Sequence, residues 1–172
     1  MVSPTNVIGI LRGFAIGLGV LLGGGSGNFA LAEDVPPATA EPLTAVELYV
    51  LYRDKTWNWN PGAVHFFDKG RRFLSWVSGD KGDSYGEGRF TLTDSGRLCL
   101  NGEWTGAAGP EKNVSCFLHK RDRGTIYQKR EDEGEWYIFS HAPVQPDDEI
   151  NRLVEGDSVS DRVAGIKAKL GG

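Results

Sequence analysis

The histidines, cysteines and carboxylates are the residues of this chain that could carry chemistry. The three histidines, His65, His119 and His141, lie on separate segments, and no H-E-x-x-H or H-x-H spacing connects them. Known zinc motifs place at least some of their ligands close together in the sequence. Since no such neighbours occur here, we predict that the chain holds neither a metal ion nor a cofactor.

Acidic residues offer a second possible chemistry, that of a hydrolase. Glu87, Glu103 and Glu135 lie close to aromatic residues, and glycoside hydrolases place a pair of carboxylates beside the bond they cut. The spacing alone does not show which of these carboxylates face each other. No G-x-S-x-G motif follows residue 32, so nothing indicates a serine nucleophile. We assign no catalytic residues, and a small carboxylate-dependent hydrolase remains one alternative.

The densest feature of the sequence is the aromatic run TWNWNPGAVHFFDKGRRFLSW at residues 56–76. A β domain needs a core, and tryptophan and phenylalanine bury large areas, so we expect most of the run to be core. Aromatic pockets with a few polar groups are also the usual form of small-molecule sites, and Trp57 and Trp59 share one face of a strand. The candidate ligand-binding residues are Trp57, Asn58, Trp59, His65, Trp76 and Tyr137.

The N-terminal segment has the features of a secretory signal peptide. Arg12 precedes the apolar run 13–22, and the segment ends at Ala30-Leu31-Ala32. A charged region, an apolar region of about 7–15 residues and an A-x-A site define such signals. An uncleaved membrane anchor is the alternative, but a spanning helix needs roughly 20 apolar residues. We expect residues 1–32 to be removed, leaving a periplasmic or secreted protein without a stable membrane span.

The export prediction determines how the two cysteines are interpreted. Cys99 and Cys116 form an even pair, and an exported chain meets an oxidising compartment, so we predict a disulfide between them. The competing interpretation is a nucleophile or a metal ligand, but neither cysteine lies in a C-x-x-C pair.

The net charge of the chain indicates whether nucleic acid is a plausible partner. Its formal net charge is −4, whereas nucleic-acid affinity depends on clustered cations. The basic run 119–123 is short and contains an aspartate, which is typical of a solvated hairpin tip. We therefore expect no nucleic-acid partner.

Capping, turn and periodicity signals define the elements that position these residues. Residues 33–43 are rich in proline and alanine and predict a flexible leader. A single β domain follows at residues 44–160. It opens with the capping box Thr44-x-x-Glu47, which predicts a short helix from Ala45 to Tyr52. The tail 161–172 places apolar residues at helical spacing and predicts a short amphipathic C-terminal helix.

Between the two helices, β-branched and aromatic runs alternate with Gly, Asp and Asn turns. The predicted strands lie near residues 56–60, 63–67, 72–77, 88–93, 97–104, 113–119, 125–130 and 135–140. About eight strands joined by hairpins predict a mainly β fold, an antiparallel meander that forms a small barrel or sandwich.

Several of these motifs resemble a known bacterial family. The motifs are ELYVLYRDKTWNW, GAVHFF, RRFLSW, GEGRFTLTDSGRLC, a second cysteine and a late EWYIF. From about Glu47 to Val159 the chain is similar to the exported alphaproteobacterial proteins catalogued as domain of unknown function 995. The resemblance implies export and one compact domain with two linked cysteines. It implies no activity, substrate or site residue.

Aromatic richness without a catalytic constellation favours a non-enzymatic module. We expect a monomer that binds a small molecule, a glycan or an envelope component. A protein-interaction module, such as an inhibitor of an envelope or host enzyme, is the alternative and requires an exposed loop projecting past the sheet. Residues 78–86 and 105–112 are the candidate loops. The hydrolase alternative requires two carboxylates facing each other in a cleft, one of them with a raised pKa.

Overall fold

The computed structural model of the protein describes residues 34–132 and 134–171. The predicted signal peptide 1–32 lies outside the described residues, so export and cleavage stay predictions. Among the described residues, neither helix is long and apolar enough to cross a membrane.

Ten strands and two α-helices make up the described fold. In chain order they are β1 (Glu41–Pro42), α1 (Ala45–Tyr52), β2 (Lys55–Trp59), β3 (Gly62–Phe67), β4 (Arg72–Gly79), β5 (Gly82–Leu92), β6 (Arg97–Gly106), β7 (Gly109–Asp122), β8 (Thr125–Arg130), β9 (Tyr137–Ser140), β10 (Leu153–Glu155) and α2 (Ser160–Leu170). Short 3₁₀ turns cover Lys69–Arg71 and Glu149–Arg152.

The strands form one antiparallel sheet, which confirms the predicted mainly β meander with its two short helices. Strands β2 to β9 lie side by side in chain order, β10 pairs with β2, and β1 pairs with β7 off this path. The sheet curls into a half-barrel. Its two edges are β9 and β10, and the connection at residues 141–152 runs from one edge to the other.

Helix α1 forms where the sequence supplies its own N-terminal cap. The Thr44 hydroxyl accepts a hydrogen bond from the Glu47 amide at 3.2 Å, and the Glu47 carboxylate accepts one from the Thr44 amide at 2.8 Å. This reciprocal capping box satisfies two amides that the helix leaves without partners. Leu48 and Tyr52 of α1 are fully buried in the main core, where they pack with Phe66 and other inward-facing residues.

Helix α2 covers the outer face of the sheet. Its buried residue Val163 and the preceding Val159 pack on Ala63, with Trp76 and Tyr85 at the margin of this cluster. The strands beneath α2 are therefore apolar on both faces, because α2 covers one face and the main core covers the other.

The structure extends the strands beyond their predicted limits. Glu41 and Pro42, in the predicted leader 33–43, pair with β7. Strands β4 and β5 pair as far as Gly79 and Gly82, and β6 and β7 pair as far as Gly106 and Gly109. Most of the residues expected to form two exposed loops are therefore strand. Polar and glycine-rich strand ends lack apolar alternation, which is why the sequence pattern did not indicate them.

Candidate functional site

A cavity of about 420 Å³ opens on the inner face of the half-barrel. Its size lies within the range of roughly 300–1,000 Å³ that is typical of small-molecule sites. The residues that line it are Trp57, Trp59, Val64, Ser75, Val77, Leu100, Trp104, Asn113, Ser115, Phe117, Arg130 and Tyr137. They come from seven strands, because alternate residues of each strand face inward.

Aromatic rings form most of the cavity wall. The rings of Trp57 and Trp59 meet edge to face with centroids 6.0 Å apart, and Trp57 meets Phe117 in the same way at 5.1 Å. Trp57 is only 6% exposed, whereas Trp59 is half-buried. Edge-to-face packing holds these rings in position, so the wall is largely formed before any ligand arrives.

Glycines on the inner face make room for two of the tryptophans. Gly86 pairs with Trp104 across β5 and β6, and a Cβ atom added at Gly86 would lie 2.6 Å from the Trp104 ring. Gly62 pairs with Trp59 across β2 and β3, and its added Cβ would lie 2.9 Å from that ring. Both indoles therefore lie directly on the backbone of a neighbouring strand, which shapes the cavity wall.

Polar side chains are few, and Asn113, Ser115 and Arg130 lie on the β7–β8 side of the cavity. The Ser75 hydroxyl of β4 already donates to the carbonyl oxygen of Ala63 at 2.8 Å. Ser115 and Asn113 project inward from β7, opposite Leu100 and Gly102. Arg130, at the end of β8, is paired with the inward-facing Phe117. Within the part of the chain that the structure describes, it is the only charged residue in the cavity lining.

A buried hydrogen-bonded group lies between the cavity and the main core. Tyr137, on the cavity wall, donates its hydroxyl hydrogen to the side-chain oxygen of Gln128. The Gln128 amide nitrogen lies 2.8 Å from the Tyr52 hydroxyl, and Tyr52 lies 2.8 Å from Nε2 of His119. Every member has a polar partner, so the group stabilises one arrangement of the surrounding core.

The surroundings of His119 decide its protonation. Its Nδ1 atom lies 3.1 Å from the carbonyl oxygen of Gly96. A carbonyl oxygen only accepts hydrogen bonds, so Nδ1 carries the hydrogen and Nε2 is the acceptor. Burial lowers the pKa of His119 from 6.5 to about 4, and burial likewise raises the pKa of Tyr52 and Tyr137. All three side chains are therefore neutral at physiological pH.

The connection between β9 and β10 contacts the cavity wall from the open side of the sheet. Trp57 donates its indole hydrogen to Oε1 of Glu149 at 2.8 Å, and Glu149 also pairs with Arg152 at 3.3 Å. The residue preceding Glu149, the buried Asp148, accepts hydrogen bonds on its carboxylate from the amides of His141 and Gln145, each at 2.8 Å. Glu149 therefore links the connection to β2.

A family model described as Protein of unknown function (DUF995) matches residues 20–159. The chain belongs to the DUF995 family. This confirms the family resemblance that the motifs indicated. Comparison with curated proteins and with solved structures found no match.

In this DUF995 protein the predicted ligand-binding residues fall into two groups. Trp57, Trp59 and Tyr137 line the cavity, although their binding of a ligand stays a prediction. The other three lie away from it. Asn58 donates to the carbonyl of Arg152 at 3.4 Å, His65 is buried 3.0 Å from the Thr56 hydroxyl, and Trp76 stacks under Arg162 beside α2.

Nine lining residues of the DUF995 chain were not predicted as ligand-binding residues from the sequence. They are Val64, Ser75, Val77, Leu100, Trp104, Asn113, Ser115, Phe117 and Arg130. A signal for Trp104, Asn113 and Ser115 was present, since alternation through a two-residue turn at 107–108 places all three on one face. No local signal marks Arg130, because its inward position depends on its pairing with Phe117.

The carboxylates and cysteines that could have formed a hydrolase or metal site lie outside the cavity lining. Glu87 and Glu103 do face each other across β5 and β6, but both are exposed, and Glu87 pairs with Lys167 of α2. Cys99 and Cys116 form a disulfide between β6 and β7. Glu131 lies close enough to the two sulfurs to complete a metal-binding group, but the disulfide occupies both thiols.

Proposed function

We propose that this protein binds a small, mainly apolar ligand in the half-barrel cavity and carries out no reaction on it. The main support is the cavity of about 420 Å³ itself, which aromatic side chains line without filling. Three of the protein's five tryptophans lie on its wall. Tryptophan rings held by edge-to-face contacts offer a large apolar area at little entropic cost on binding.

The chemistry of the lining favours binding over catalysis. None of the described lining residues is a carboxylate or a histidine, and these are the groups that most often transfer protons in enzymes. The carboxylates whose pKa is displaced in the described residues, Glu47, Asp148 and Asp157, all have lowered values. A hydrolytic general acid needs the opposite shift.

The protein-interaction alternative receives less support from the hairpins. It required an exposed loop projecting past the sheet, and residues 80–81 and 107–108 instead form two-residue turns between paired strands. Short turns of this kind offer little surface for inserting into a partner's cleft.

The setting of this function is also part of the proposal. We place the protein in the periplasm or outside the cell, with a small molecule, a glycan or another envelope component as its ligand. The Cys99–Cys116 disulfide is compatible with an oxidising compartment.

The test uses phenylnaphthylamine, a neutral fluorescent probe that brightens in apolar sites. Ser115→Trp should fill the cavity from β7, because Ser115 faces inward. Val114→Trp is the matched control, since Val114 lies next in the strand and is 51% exposed on the opposite face. We expect Ser115→Trp to weaken probe binding about tenfold or more, and Val114→Trp to leave it unchanged.

Probe binding that is absent, or equally weak in both variants, would contradict the proposal. Native mass spectrometry of the protein purified from its own cell envelope then addresses the natural ligand. Extra mass that disappears on denaturation would give the size of that ligand.

A further inference from the structure

We infer that the ligand of this cavity is amphipathic and anionic, with an apolar body against the tryptophans and an acidic group bound by Arg130. This inference rests on the proposed function and adds to it the chemical class of the ligand. The acidic group is a carboxylate, phosphate or sulfonate, which share the oxygen geometry that a guanidinium binds.

The first argument is the direction in which Arg130 points. It pairs with Phe117, whose side chain lines the cavity, and Arg130 lines it as well. The preceding residue, Lys129, lies on the opposite face, with its ammonium group 5.5 Å from the centre of the Trp136 ring. Strand alternation therefore presents one of two adjacent cations to the cavity and the other to the outer surface.

The second argument is the lack of a partner for Arg130. No carboxylate of residues 34–132 and 134–171 forms a salt bridge with its guanidinium. In contrast, Arg97, Arg121 and Arg162 each hold a carboxylate oxygen within 2.7 Å. With respect to these described residues, the donors of the Arg130 guanidinium are available for a ligand.

The third argument is that two polar side chains lie near Arg130 on the inner face. Ser115 and Asn113 follow Phe117 along the inner face of β7, and among the described residues neither side chain has a hydrogen-bond partner. A hydroxyl and an amide therefore offer further donors to an acidic group held by Arg130. Glu111 is the next inward-facing position beyond Asn113, but it does not line the cavity.

The apolar and polar parts of the cavity wall come from different strands, which bears on how a ligand would lie. Trp57, Trp59 and Val64 come from β2 and β3, whereas Asn113, Ser115 and Arg130 come from β7 and β8. The curl of the sheet brings the two groups to one cavity, since the Trp57 ring meets the ring of Phe117, the strand partner of Arg130, at 5.1 Å. A molecule that contacts both groups needs an apolar body against the tryptophans and an acidic group near Arg130.

A matched pair of probes separates this inference from the proposed function. Anilinonaphthalene sulfonate and phenylnaphthylamine share one aromatic body, and only the first carries a sulfonate. We expect the sulfonate to bind about fivefold more tightly, a modest gain because Arg130 is exposed. Arg130→Met should remove this preference by weakening the binding of the sulfonate probe, and Arg130→Lys should retain part of it.

Lys129→Met is the control, because it removes the same charge from the opposite face and should preserve the preference. Circular dichroism and the thermal midpoint establish that each variant is folded. Equal affinities for the two probes, or an equal loss in Arg130→Met and Lys129→Met, would overturn the anionic inference and leave the apolar site intact. Failure of both probes to bind would overturn the proposed function and this inference together.

Discussion

Trp57 and Glu149 join the wall of the cavity to the connection between the sheet edges. The indole Nε1 of Trp57 donates to Oε1 of Glu149 at 2.8 Å, although the two residues lie 92 positions apart. Trp57 is a β2 residue, and Glu149 begins the 3₁₀ turn that precedes β10. This single bond gives a nearly buried indole its polar partner and orients the ring at the same time.

Replacing Glu149 should therefore destabilise the protein through Trp57. Glu149→Ala leaves an indole N–H without its acceptor at a position that is 6% exposed, which costs about 1–3 kcal/mol. Arg152→Ala is the control, since Arg152 is 54% exposed and its ion pair is worth less than about 1 kcal/mol. Urea denaturation followed by tryptophan fluorescence measures both. Equal losses would contradict the role of the Trp57 bond.

Adding one methyl group at Gly86 should disturb the cavity wall. The new Cβ would lie 2.6 Å from the Trp104 ring, and overpacking of this kind costs about 1–3 kcal/mol. Gly165→Ala is the control, because nothing lies within 4 Å of a Cβ there and alanine favours the helix by up to about 1 kcal/mol. Thermal unfolding should show a loss for Gly86→Ala and a gain for Gly165→Ala. A neutral Gly86→Ala would mean that Trp104 does not rest on Gly86.

His119 should make the protein sensitive to mild acid. Its pKa falls from 6.5 to about 4 on folding, chiefly because the imidazole is buried. Below pH 6.5 the unfolded chain gains a proton that the folded chain does not bind, so stability decreases as the pH falls. The full loss from this group is about 3 kcal/mol and is complete near pH 4.

The variant His119→Gln separates this titration from packing. The free energy of unfolding of this variant at pH 8 reports the altered packing. The change of that free energy with pH above about pH 5 reports the missing titration, because carboxylates stay ionised in this range. We expect the slope to be smaller than in the parent protein. An unchanged slope would show that His119 is not the titrating group.

The Cys99–Cys116 disulfide should be a large contributor to stability. It links directly opposed residues of β6 and β7 whose positions differ by 17, and on the chain-entropy model a loop of this size contributes roughly 3 kcal/mol. Reduction, or the double variant Cys99→Ala with Cys116→Ala, should lower the thermal midpoint accordingly. Mass spectrometry of the purified protein should also show the loss of two hydrogens. A thermal midpoint that reduction leaves unchanged would contradict this contribution.

Much of the fold follows from local sequence signals. The capping box of Thr44 and Glu47 predicted α1, whose observed limits are Ala45–Tyr52. Turn residues and alternation located β2 to β9, although β5 begins at Gly82 rather than near residue 88. Apolar periodicity likewise indicated α2. These signals act within a few residues, so they can be seen without knowing the rest of the chain.

Local sequence patterns suffice to locate the two helices and strands β2 to β9, and to show which residues share a face of each strand. Which of these faces encloses the cavity depends on the tertiary structure. The alternation of Trp57 and Trp59 is apparent locally, but Trp76 follows an equally apolar pattern and lies on the other face beneath α2. Tyr52, His119 and Gln128 meet across separations of 67 and 76 positions. Such contacts depend on how the sheet curls and where the helices dock, and no local pattern carries that information.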